Sequence, residues 1–75
     1  MIYSWPLEVI LEDGTHLIGE YDSEMSSSAE VALDLLFEGE NIYAEFFTFA
    51  NKSKRETYIV KPADVMAIMI GVPVN

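Results

Sequence analysis

The sequence contains no cysteine and a single histidine, His16. That removes both a disulfide framework and the common zinc spacings as sources of stability. Only four basic residues stand against thirteen acids, for a formal net charge of −9. The sign is wrong for non-specific affinity to nucleic acid, which comes largely from cations that displace phosphate counterions. No run reaches the roughly 18 consecutive apolar residues of a membrane span, and the start lacks the basic-then-apolar pattern of a secretory signal. A cytoplasmic protein with no membrane partner is therefore expected. There are no repeats, low-complexity tracts or linkers, so the 75 residues have room for one compact domain, 1–75. A chain this short buries only about 60% of its unfolded surface on folding. With disulfides and structural metal set aside, association is the remaining route to stability, and 51% apolar residues in so acidic a chain point the same way.

The basic residues that are present are not scattered. Lys52, Lys54, Arg55 and Lys61 all fall in one ten-residue window. With a Debye length of about 8 Å at physiological salt, a local basic cluster can act within an acidic molecule. The plainer reading is a solvated hairpin tip that happens to be basic.

From Trp5 to Glu12 the pattern alternates, with Trp5, Leu7, Val9 and Leu11 on one face and Pro6, Glu8, Ile10 and Glu12 on the other. This is a half-buried strand. Asp13-Gly14 follows, a dipeptide favoured in two-residue hairpin turns. The returning strand is Thr15 to Asp22, in which Gly19 marks a bend or a close backbone approach. Ser26-Ser27-Ser28 then reads as a loop leading into a helix, because Ser27 and Glu30 have the spacing of a capping box. The helix is placed at Ala29 to Glu38 (about 28–38), with Gly39 at its C-terminal cap. A strand through Val31, Leu33 and Leu35 is the competing reading. Ile42 to Ala50 carries Tyr43, Phe46, Phe47 and Phe49 and suits a strand packed on both faces. A turn at Asn51 to Lys54 leads to a strand from Glu56 to Lys61, ended by Pro62, which has no N–H to continue a ladder. The last strand, Val65 to Val72, has no polar alternation, so both its faces should be dry and neighbouring subunits should cover it.

Five short antiparallel strands in so small a chain favour a small barrel or an open roll, since closure removes the edges that a lone sheet would expose. The spacing Val9-x-Leu11-x-Asp13-Gly14-x-x-x-x-Gly19 resembles the first motif of the Sm/LSm family. The stretch Val60-Lys61-Pro62-Ala63-Asp64-Val65-x-x-Ile68 is similar to the second, apolar-Arg-Gly-x-Asn-Val-x-x-Ile, and Lys61 is also similar to the lysine of the bacterial Hfq branch. The likeness covers roughly residues 5 to 23 and 42 to 72, and within the family it is greatest to divergent Sm-like proteins attributed to marine cyanophages. There are three departures. No counterpart of the family's base-binding Asp-x-Met-Asn segment follows Tyr21. The helix that normally precedes the first strand is missing. Arg-Gly-x-Asn has become Lys61-Pro62-Ala63-Asp64, which exchanges a bidentate guanidinium for a point charge and an amide for a group that only accepts hydrogen bonds.

The resemblance implies a mainly β, five-stranded, strongly bent antiparallel Sm-like barrel with one short inserted helix. It further implies a closed homo-oligomeric ring in which the fourth strand of one subunit pairs with the fifth of the next. The interface residues would be Tyr58, Val60, Val65, Met66, Ile68 and Ile70. Single-stranded RNA or DNA would bind near the pore through Lys61, Pro62 and Asp64, with Lys52, Lys54 and Arg55 as a second site. The ring would act in RNA processing or as a chaperone or scaffold, without chemistry or cofactor, in a cytoplasm, that of an infected bacterial host included. A ring that has kept protein interaction and lost nucleic acid is the alternative, favoured by the charge. Phe46, Phe47 and Phe49 could stack bases, although core or interface packing explains them more simply. His16 beside Asp13 could be imagined as an acid–base pair, yet a histidine on the outer face of a hairpin strand is far more often just solvated. Glu12-Asp13 and Asp22-x-Glu24 lack the ligand count of a calcium site.

Overall fold

The computed structural model describes residues 2–24, 28–38 and 46–74. Among these residues five strands and a helix follow in order: β1 (Tyr3–Leu11), β2 (His16–Ser23), α1 (Ala29–Glu38), β3 (Phe47–Asn51), β4 (Glu56–Val60) and β5 (Val65–Ile70), with a 3₁₀ turn at Pro62–Asp64 before β5. The strands form one sheet in the order β4-β3-β2-β1-β5, antiparallel throughout.

The alternation in β1 sets the inner face. Trp5, Leu7 and Val9 are buried, and so are Phe47, Phe49 and Val60 from the far side of the sheet. Each such side chain removed from water contributes about 1.5 to 3 kcal/mol. Phe47 lies at the centre, edge-on to Phe37 at 5.0 Å and 6.3 Å from Phe49, whose ring in turn meets Tyr58 at 5.2 Å. Offset and edge-to-face contacts of this kind add to simple area burial.

The β1–β2 loop differs from the two-residue turn expected. Leu11 N–H donates to the Thr15 carbonyl, and Gly14 N–H donates back to the Leu11 carbonyl, both at 2.9 Å. The loop thus has three residues, Glu12 to Gly14, with Gly14 at φ 91°. That is the type I turn followed by a left-handed glycine that three-residue hairpins use. Asp13 Oδ1 accepts the Thr15 N–H at 2.9 Å and fixes the bend.

The helix occupies the expected span, but its cap is Ser28, whose Oγ accepts the Val31 N–H at 3.3 Å. Ser27 and Gly39 lie outside the described residues, as does Tyr43. At ten residues such a helix is marginal alone. It is held by Ala32 and Leu36, both buried against the sheet, and by Phe37 on Phe47.

Between the ends of β4 and β5 there are only four residues, Lys61 to Asp64, yet these strands are the two edges of the sheet. Flat, five strands at about 4.8 Å spacing would put the edges roughly 19 Å apart. A 3₁₀ turn advances only about 2 Å per residue, so the sheet must curl. Val60 of β4 and Val65 and Ile68 of β5 accordingly share one hydrophobic cluster. The curl stops short of closure. No ladder joins β4 to β5 among the described residues, so the arrangement is an open curled sheet, the second of the two forms that the strand count allowed.

The final strand ends at Ile70, two residues early. Beyond it Gly71 N–H donates to the Pro6 carbonyl at 2.8 Å, and Val74 exchanges two backbone hydrogen bonds with Ser4. Within the single chain the outward residues of the strand are wet, with Met66 62% and Met69 49% exposed, as is Val72 beyond its end at 82%. Among the described residues no helix is long and apolar enough to cross a membrane.

Candidate nucleic-acid interface

The short β4–β5 link builds the most distinctive site. Lys61 extends from the end of β4, and its Nζ stands 6.0 Å from the centre of the Phe46 ring, at the outer reach of a cation–π contact. Beneath them an open cavity of about 280 Å³ is lined by Leu11, Leu17, Phe46, Ile59, Val60, Lys61 and Asp64. Its walls come from the β1–β2 hairpin on one side and from β4 and the 3₁₀ turn on the other. Curling of the sheet is what brings them together. The Asp64 backbone is fixed from both directions, its N–H donating to the Lys61 carbonyl and its carbonyl accepting the Glu12 N–H, each at 2.9 Å. The Asp64 side chain is left at the rim, exposed.

Of the expected nucleic-acid residues, Lys61, Pro62 and Asp64 therefore fall together. The hairpin tip is different. Lys52 Nζ pairs with Asp22 at 2.7 Å, and Lys52 N–H donates to Glu20 Oε1 at 3.1 Å. The hydrogen bond to Asp22, followed by the charges of Asp22 and Glu20, raises the Lys52 ammonium above its usual range. Lys52 is thus paired with acids on β2 rather than standing alone at the tip. Lys54 and Arg55 remain exposed at the tip. Arg55 takes a left-handed φ of 57°, and its N–H donates to the Lys52 carbonyl at 3.2 Å.

The tip has an organiser that sequence reasoning passed over. Asn51 is 8% exposed. Its amide donates to the Ile18 carbonyl at 2.9 Å, while its Oδ1 accepts from Ser53 Oγ at 2.8 Å and from Lys54 N–H at 3.0 Å. An asparagine opening a turn is the signal that pointed to it.

The expected interface residues divide into two groups. Val60 is buried in the chain's own core, and Tyr58, Val65, Ile68 and Ile70 pack against that core. Met66 projects outward at the point where the β1–β5 register slips between Ile10 and Leu11. Ile59, 70% exposed on the open β4 edge, was missed, although it occupies the alternate position between Tyr58 and Val60. His16 pairs with Glu8 at 2.6 Å, while Asp13 serves the hairpin turn, its carboxyl drawn below the usual range by hydrogen bonds from Thr15. Among the described residues no group of three or more histidine or acidic side chains is placed to hold a metal ion.

No family model, curated protein or solved structure matches the chain.

Proposed function

We propose that this chain assembles edge to edge into a closed homo-oligomeric ring that binds single-stranded RNA at the Lys61 cavity. The observation that carries the assembly is that β4 and β5 are both open edges of one antiparallel sheet. Each bears outward apolar side chains, Ile59 on one and Met66 and Met69 on the other. Exposed edges of this kind invite pairing with another chain. Because the two edges differ, their pairing is head to tail, and such contacts give rings when the rotation closes. The sheet would then continue from subunit to subunit and complete the barrel-like closure that a single chain lacks.

A ring would repeat Lys61 around one axis and turn one weak cation into a collar, set beside an aromatic ring and an apolar cavity. Electrostatic attraction to the backbone together with aromatic and apolar contact to bases is the usual chemistry of single-strand binding. Salt titration of labelled single-stranded RNA tests this. Binding should weaken steeply as salt rises and should be lost in Lys61→Ala. Absence of binding to RNA and DNA at about 50 mM salt would instead favour a protein-interaction ring. That second reading draws on the charge of −9 per subunit and on the pairing of Lys52 with Asp22.

A further inference from the structure

From the groups at the rim of the Lys61 cavity we infer that, among nucleobases, this site selects guanine and disfavours uracil, an inference that rests on the RNA reading above. The cavity, at about 280 Å³, falls just under the roughly 300 Å³ where drug-sized sites begin. It suits one planar base. Five of its seven lining residues, Leu11, Leu17, Phe46, Ile59 and Val60, are apolar and can pack on base faces. Among the described residues the other two supply the side-chain polarity, a donor-only ammonium at Lys61 and a carboxylate at Asp64. Asp64 is exposed and its backbone is fixed at both N–H and carbonyl, so the position of the residue does not depend on the side chain.

A carboxylate offers two acceptors and no donor. Guanine is the base whose Watson–Crick edge presents two adjacent donors, the ring N1–H and the exocyclic N2–H, which a carboxylate meets with both oxygens at once. Its O6, next to N1–H, is an acceptor within the chemistry of Lys61. Adenine and cytosine each offer an amino donor beside a ring acceptor, so one carboxylate oxygen gains a partner and the other faces a lone pair. Uracil has a single N3–H between two carbonyls, and one carbonyl must oppose the carboxylate. Such paired contacts decide between bases by about tenfold or more.

The test compares two labelled ten-nucleotide RNAs, all-uridine and alternating uridine–guanosine, at low salt with the full chain and two variants. For the unmodified protein the guanosine-containing strand should bind about tenfold more tightly. In Asp64→Asn that strand should weaken until the two lie within roughly twofold, because an amide pairs one donor and one acceptor with uracil. Lys61→Ala should lose binding of both strands. Equal binding of the two RNAs by the unmodified protein would overturn the guanine preference and leave the RNA reading standing. If neither RNA bound, both would fall.

Discussion

The β3 backbone runs directly across Gly19: a Cβ on that residue would collide with the Ala50 carbonyl oxygen, lie 2.8 Å from its carbon and touch the Phe49 ring at 3.1 Å. The atoms met first are backbone, which cannot swing aside. Gly19→Ala should therefore force β2 and β3 apart and cost about 2 to 3 kcal/mol, at the upper end of overpacking substitutions. Urea unfolding followed by circular dichroism measures this. A loss below about 0.5 kcal/mol would mean that the strands approach less closely than described.

Phe47 is almost completely buried and touches the rings of Phe37 and Phe49. Its replacement by alanine should cost about 3 to 5 kcal/mol. In a domain of this size that is a large share of total stability, so Phe47→Ala should unfold by 37 °C while Phe47→Leu stays folded. Thermal melts of the two variants provide the comparison.

Arg55 holds a left-handed φ of 57°, which costs a side-chain-bearing residue roughly 1 kcal/mol. Arg55→Gly should relieve the strain, offset in part by the greater freedom of glycine when unfolded. The expected net result is a gain of up to about 0.5 kcal/mol in denaturant unfolding. Arg55→Val should be destabilising.

Much of this was legible in the sequence, and the reason is range. The alternation in β1 assigned Trp5, Leu7 and Val9 to the core because a strand needs only its own period to show its faces. The helix was placed at Ala29 to Glu38 from local spacing, although its cap moved to Ser28. What escaped was non-local. The pairing of Lys52 with Asp22 joins residues thirty apart and changed the value of the basic cluster. The cavity likewise draws Leu11 and Leu17 from one hairpin and Phe46, Ile59 and Asp64 from elsewhere, positions that only the curl of the sheet brings together. The Asp-Gly turn was found but given the wrong length, since loop length depends on which residues pair across it.

The Asp13 carboxylate adds a pH signature. Its pKa is lowered in the fold by the hydrogen bonds to Thr15, so its contribution is complete above the ordinary value of 3.8 and is lost as pH falls through the lower folded value. Asp13→Asn keeps an acceptor for the Thr15 N–H and should remove this part of the acid dependence without loss of the hairpin. Unfolding midpoints of the two proteins, followed from about pH 4 downward, should differ in slope, in the direction of a flatter variant.

Assembly through the β4 and β5 edges is tested most directly by light scattering on the full chain at micromolar concentration, beside Ile59→Lys and Met66→Lys. Both positions are exposed in the single chain, so a lysine there leaves the fold intact but places a charge in the proposed contact, a device that keeps edges from pairing. The unmodified protein should give one discrete species of several times the single-chain mass, and either variant should reduce it to that of one folded chain. A single-chain mass for the unmodified protein would contradict the ring.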